Sequence, residues 1–124
     1  MILTSSQVKQ YLYNAGFKGI ALNYAVAICN CESGFNTNAH NTRGEDSRGL
    51  MQINLDAHPQ YSNYNLFDPQ VNCTLAYDIY NRSSKTFKAW TCAKLLNLQN
   101  PTIFYVGAGL VLLASALYVS NAQD

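Results

Sequence analysis

Glu32-Ser33-Gly34-Phe35-Asn36-Thr37-Asn38-Ala39-His40 and, after a polar loop, Arg48-Gly49-Leu50-Met51-Gln52-Ile53-Asn54 form the stretch on which the reading of this chain turns. Before it, Ile20, Tyr24, Ala27, Ile28 and Cys31 recur at helical spacing and predict a helix from about Gly19 to Ser33. Glu32 therefore falls on the last turn of an apolar helix, beside an emerging loop. Residues 34–48 are rich in Asn, Thr, Gly and charge and read as a loop or a short irregular hairpin. Residues 49–54 read equally well as a strand, by alternation, or as a helix entry.

Working outward, Ser5 or Ser6 can cap a first helix running through Asn14, with Val8, Tyr11, Leu12 and Ala15 on one face and Gly16 closing it. On the other side, residues 55–68 are mostly loop and carry Tyr61, Tyr64 and Phe67. Asp68-Pro69 has the form of a cap followed by proline in the first turn, and the helix it starts should carry Val71, Cys73, Leu75 and Ile79. A shorter helix is expected around Phe87 to Leu96, and Asn100-Pro101 marks a junction. No internal repeat or low-complexity linker interrupts this order.

A carboxyl set against apolar helix residues has its charged form disfavoured, which raises its pKa and suits it to donate a proton to a poor leaving group such as a glycosidic oxygen. An isolated glutamate at a helix end reads as a solvated surface charge; the Glu-Ser-Gly and Gly-Leu-Met-Gln-Ile surroundings reverse that. The chain resembles the lysozyme-like domain of lytic transglycosylases and phage virion-associated muralytic enzymes over roughly residues 5–92. Asn14-Ala15-Gly16-Phe17-Lys18-Gly19 and Ala25-Val26-Ala27-Ile28 echo the family's helix before the acid. His58-Pro59, Phe67-Asp68-Pro69 with Asn72, and Phe87 with Trp90 echo its later segments.

The resemblance implies a mainly α, α+β lysozyme-like fold, a minimal helical domain with a small irregular hairpin. It implies cleavage of the β-1,4 bond between N-acetylmuramic acid and N-acetylglucosamine in peptidoglycan by a lytic transglycosylase, with Glu32 as the catalytic residue. Ser33 would hydrogen-bond Glu32 or the sugar, Met51 and Gln52 would floor the cleft, and Asn54, Asn72 and Trp90 would be further substrate-binding residues. Met51 reads equally as plain core, and Trp90 as a buried core tryptophan. In animal-type lysozymes an aspartate stands two residues before the glycine of the Gly-x-x-Gln-Ile-Asn strand; that position is Ser47 here. Glu45 and Asp46 are the candidates for a second carboxylate, with Asp56 weaker. A true glycoside hydrolase on the same fold, and a catalytically inert structural protein of a virion or envelope, are the alternatives.

The composition bounds the rest. A chain of 124 residues allows one ordinary domain, and a net charge of +1 gives nucleic-acid binding no electrostatic support. No phosphate loop or zinc spacing is visible, and His40 and His58 fall in loops, so neither cofactor nor metal is expected. Cys29, Cys31, Cys73 and Cys92 permit three pairings, which the sequence leaves open, as it does their all remaining reduced. Cys29 and Cys31 point in different directions on a helix, so only one of them should meet Cys73 or Cys92. Thr102 to Ser120 carries no charge, and as a helix would span about 28 Å at ~1.5 Å per residue, close to a bilayer core of roughly 30 Å. The expected division is therefore a lysozyme-like domain over 1–97 and a C-terminal membrane anchor over 98–124, with a transmembrane helix at about 102–120. No signal peptide is read at the start. Arg82, Lys85, Lys88 and Lys94 precede the span and suit anionic headgroups. The expected partners are peptidoglycan, a lipid bilayer, and a capsid or other virion membrane proteins. The expected location is a phage's internal membrane or the host envelope.

Overall fold

The computed structural model describes residues 1–101 and, as strands only, residues 103–106 and 109–112. Four helices carry the body: α1 (Ser5–Ala15), α2 (Gly19–Ser33), α3 (Pro69–Arg82) and the short α4 (Thr91–Leu95). Between α2 and α3 lie three two-residue strands, β1 (His40–Asn41), β2 (Ser47–Arg48) and β3 (Ile53–Asn54), paired antiparallel in the order β1-β2-β3, followed by a 3₁₀ turn at Pro59–Tyr61. The chain is thus mainly helical with a small sheet, an α+β arrangement.

Thr4, rather than Ser5 or Ser6, starts α1. Its hydroxyl accepts from the Gln7 N–H at 3.1 Å, and the Gln7 side chain accepts from the Thr4 N–H at 2.9 Å, a reciprocal capping box. Helix α2 is the central element, burying Leu22, Tyr24, Ala25, Ile28 and Cys29. Gly34 ends it in the left-handed region, with its N–H on the Asn30 carbonyl at 2.8 Å, which leaves Glu32 on the final turn. Asp68 caps α3 by accepting from the Val71 N–H at 2.9 Å, and Pro69 occupies the first turn, as the dipeptide predicts. Helix α4 is shorter than expected. Phe87–Trp90 forms a turn ahead of it, and its packing rather than its periodicity fixes the segment: Phe87 and Trp90 are buried, and the Phe87 N–H bonds the Gln99 carbonyl at 2.7 Å. Leu98 is fully buried, so the packed unit reaches residue 99.

An aromatic cluster of Phe17, Tyr77, Tyr80, Phe87 and Trp90 fills the space between α1, α3 and the α4 segment, with neighbouring centroids 4.7–6.0 Å apart. Residues 1–3 are stitched to the loop that leaves α2. The Leu3 N–H bonds the Phe35 carbonyl, and the Thr37 N–H bonds the Met1 carbonyl, each at 2.9 Å. Cys31 and Cys92 form a disulfide between α2 and α4, while Cys29 and Cys73 are free and buried. Closing a loop of this size, 61 residues in sequence, removes unfolded-state freedom equivalent to about 4 kcal/mol on a chain-entropy account.

The expected transmembrane helix at 102–120 is not seen where the chain is described. Ile103–Val106 and Gly109–Leu112 instead pair as two antiparallel strands, β4 and β5. An apolar run rich in β-branched and aromatic residues (Ile103, Phe104, Tyr105, Val106, Val111) serves a strand as well as a helix, and hydrophobicity alone does not separate them. The rest of that span lies outside the described residues. Among the described residues no helix is long and apolar enough to cross a membrane.

The tightest point of the fold is the β2–β3 turn. Gly49 sits at φ +75°, and a Cβ there would overlap the Leu66 carbonyl oxygen and the Asn72 carboxamide. Asn72, fully buried on α3, accepts from the Met51 N–H at 2.8 Å and donates to the carbonyls of Arg48 at 2.9 Å and Leu66 at 2.8 Å. Asn72→Ala strands two buried backbone groups and one part-buried carbonyl, and at ~1–3 kcal/mol for each buried group a loss of at least about 2 kcal/mol is expected. Urea unfolding checks this, and an unchanged midpoint would refute the assignment.

Candidate active site

The register of the small sheet decides which side chains share a face. Asn41 pairs with Ser47, and Ser47 with Asn54. Because alternate residues point to opposite faces, this row and Glu45 turn one way, while Asp46, Arg48 and His40 turn the other. The first group lines a cleft of about 310 Å³ together with Glu32, Gln52 and the segment Ala89–Cys92.

Glu32 is half-buried on one side of this cleft. Burial is the main cause that raises its pKa above the ordinary carboxylate value; the negative charge of Glu45 adds to the rise. The Cys92 N–H, donating to Glu32 Oε2 at 3.3 Å, opposes it.

The two adjacent loop acids are separated by their faces. Glu45 lies in the cleft and accepts from Asn41 Nδ2 at 2.9 Å and from the buried Ser47 hydroxyl. Ser47, standing where the resemblance places an aspartate, thus presents the carboxylate of its neighbour two residues earlier. Asp46 is outside the cleft, bound by Arg48 through two nitrogens at 2.9 Å and by His40 Nε2 at 2.8 Å. The hydrogen bonds of Arg48 and then His40 hold its pKa down to about 2. Asp46 therefore does not join the site, and Asp56, exposed, does not line it either.

The remaining sequence candidates divide. Gln52, at φ +48°, lines the cleft, and its Nε2 donates to the Ala39 carbonyl at 3.1 Å and the Gly49 carbonyl at 2.9 Å. Both neighbours are acceptors, which fixes the amide's orientation and leaves its oxygen as the group for a ligand N–H. Asn54 lines the cleft while its Oδ1 accepts from the Asp56 N–H at 2.9 Å, so its Nδ2 is the donor that remains. Ser33 does not reach Glu32; its hydroxyl donates back to the Cys29 carbonyl at 3.1 Å, the local bond open to a serine one turn on in a helix. Met51 is fully buried core and contributes only its backbone. Asn72 is likewise no cleft wall, being consumed by the three bonds of the turn. Trp90 borders the cleft but is only 4% exposed, and its indole N–H donates to the Met51 carbonyl at 2.7 Å, so it supports the wall and offers almost no face to a sugar.

Asn41, Ala89, Thr91 and Cys92 are cleft residues that sequence reasoning did not single out. The available signal was Cys31, next to Glu32, because a bridge from that residue brings its partner segment to the acid. Among the described residues no group of His, Cys, Asp and Glu is arranged to hold a metal ion. The arrangement provides one acid held toward its protonated form, one carboxylate opposite it supplied with hydrogen-bond donors, and amides with fixed free valences.

A family model described as a lysozyme-like domain matches residues 9–92. No curated protein and no solved structure matches the chain.

The raised pKa of Glu32 has a signed effect on stability. The folded state holds the proton more tightly than the unfolded chain, so the stability this group contributes is complete below the unfolded pKa and is lost as pH rises through the folded pKa. Glu32→Gln should therefore melt at or above the wild-type temperature at neutral pH, with the difference vanishing in acid. Calorimetry across that range checks it; a variant less stable at pH 7 than at pH 4 relative to wild type would contradict it.

Proposed function

This chain belongs to the family of lysozyme-like domains, and we propose that it cleaves the β-1,4 bond between N-acetylmuramic acid and N-acetylglucosamine as a lytic transglycosylase with Glu32 as proton donor. Family membership gives peptidoglycan as the substrate class and glycosidic cleavage as the reaction class. The observation that carries the reading is the half-buried Glu32, its pKa raised by desolvation, in a cleft that also holds the amides of Asn41, Gln52 and Asn54 and the carboxyl of Glu45.

In this reading Glu32 protonates the departing glycosidic oxygen, and the muramic acid acetamido oxygen attacks C1 from the opposite side as the bond breaks. The Gln52 oxygen accepts from the acetamido N–H, which orients that group and strengthens its carbonyl oxygen as a nucleophile. Glu32, now a carboxylate, takes the proton of the C6 hydroxyl, and O6 attacks C1 as the C1–O bond to the acetamido oxygen breaks, which restores the acetamide and gives a 1,6-anhydro sugar. One residue serves as acid and then as base, and Glu45, in the same cleft, is placed to stabilise the positive charge between these steps.

A second reading is favoured by one specific observation. Glu45 lies in the same cleft, with its oxygens held by Asn41 and Ser47, an arrangement suited to directing a water onto C1 and giving a hydrolase. The uncharged run from Thr102 to Ser120 supports attachment of the domain to a membrane, and a phage particle is the setting proposed for it. Recovery of the whole chain from the soluble phase after vesicle flotation would remove that part.

Purified peptidoglycan digested by the wild-type chain should yield anhydro-muropeptides by mass spectrometry. Glu32→Gln should lose at least about 10²-fold in rate, while Glu45→Gln should keep the anhydro product at a rate lower by roughly tenfold. Reducing-end products that disappear with Glu45→Gln would move the assignment to the hydrolase. Absence of any Glu32-dependent product would sink both readings.

A further inference from the structure

Glu32 is bonded in sequence to Cys31, and Cys31 is bonded through sulfur to Cys92, whose own N–H meets Glu32 Oε2 at 3.3 Å. The covalent bridge and the hydrogen bond thus close a small ring around the acid. Cys92 also ends the cleft wall Ala89–Cys92, so the bridge is the covalent link between that wall and the helix that carries the acid. The near end of the wall has an independent anchor, the Trp90 indole N–H on the Met51 carbonyl. The far end is where the bridge acts.

The four cysteines differ sharply in access. Cys29 and Cys73 are fully buried, and burial pushes the Cys29 thiol up to about 12 and the Cys73 thiol up further, so neither provides a thiolate for exchange. Cys31, the residue before Glu32, is exposed, whereas its partner Cys92 is buried. The side from which a soluble thiol can approach the bridge is therefore that of Cys31, next to the acid.

We propose that the Cys31–Cys92 disulfide is a redox gate on the reaction proposed above: the site is complete when the bridge is formed and is switched off by a thiol-reducing environment. In the reducing direction a dithiol attacks Cys31 Sγ, the S–S bond breaks, and Cys92 leaves as thiolate and takes a proton. The second thiol of the reductant then displaces Cys31 as its thiol, and the reductant departs as its own disulfide. Two electrons and two protons are transferred. Thr91 and Cys92 are freed from α2, water reaches Glu32, and the acid loses both the desolvation that raises its pKa and the wall that completes the cleft. The gate places activity in oxidising surroundings and keeps a chain made in a reducing compartment idle until the bridge forms.

The gate rests on the peptidoglycan reading, and one experiment separates their failures. The chain is equilibrated with oxidised or reduced dithiothreitol, and alkylation under denaturing conditions verifies two or four free thiols. Peptidoglycan cleavage is then followed at a temperature where circular dichroism shows the reduced chain folded. Expected is a drop of at least tenfold on reduction, reversed by reoxidation, with the basic limb of the residual pH–rate profile moved to lower pH. The Cys31→Ser/Cys92→Ser chain should show the low rate irrespective of thiol. Equal rates for oxidised and reduced enzyme overturn the gate, as does the absence of any temperature at which the reduced chain is folded, since the bridge is then only a staple. An oxidised chain without activity overturns the functional reading itself.

Discussion

The Asn72 carboxamide accepts the Met51 N–H and donates to the Arg48 and Leu66 carbonyls, and nearly everything in the cleft hangs from those three bonds. They tie α3 to both ends of the β2–β3 turn and to the loop before α3. The turn approaches so closely that Gly49 has no room for a Cβ. With the Met51 N–H held by Asn72, its carbonyl is in place for the Trp90 indole, and Trp90 in turn sets the near end of the wall opposite the sheet. The next residue, Gln52, is forced to positive φ, and its amide is aimed at two carbonyls of the hairpin. A buried amide with both N–H groups and its oxygen engaged is a strong positioning device, because rotating it would leave buried backbone groups without partners.

The electrostatics of the site follow from strand alternation. Glu45 and Asp46 are neighbours in sequence with opposite environments. One faces Glu32 across the cleft, and the other is neutralised on the far face by Arg48 and His40. A carboxyl raised by burial and a loop carboxylate tied down by a guanidinium therefore arise within 14 positions, 32 to 46, without any metal or bound ion being invoked. Moving the hairpin register by a single residue would exchange Glu45 for Asp46 in the cleft and leave Arg48 facing Glu32.

Much of this was legible in the chain. The spacing of Ile20, Tyr24, Ala27 and Ile28 located α2 and put Glu32 on its last turn, and Asp68-Pro69 located the start of α3. What escaped was set by partners far away in sequence. Asn72, Met51 and Trp90 carry residue types that suit a sugar cleft, but sequence separations of 21 from Met51 to Asn72 and 39 from Met51 to Trp90 hide the bonds that bury them. Ser33 bonds its own helix for the opposite reason: a serine near the end of a helix has a backbone carbonyl within reach one turn earlier. The choice between Glu45 and Asp46 needed the register, and β1 and β2 are only two residues each, too short for periodicity to declare it. The run after Asn100 is ambiguous in principle, since an apolar stretch containing aromatic and β-branched residues fits more than one backbone.

The order of the parts along the chain has a consequence for biogenesis. The acid is made at position 32, the sheet residues follow by position 54, and the wall that closes the site comes only at 89–92. A ribosome, working from N- to C-terminus, makes Glu32 and the sheet well before the last side of the cleft exists. The cleft is thus open on one side until that segment emerges, and its final geometry is a late event in the vectorial synthesis of this domain.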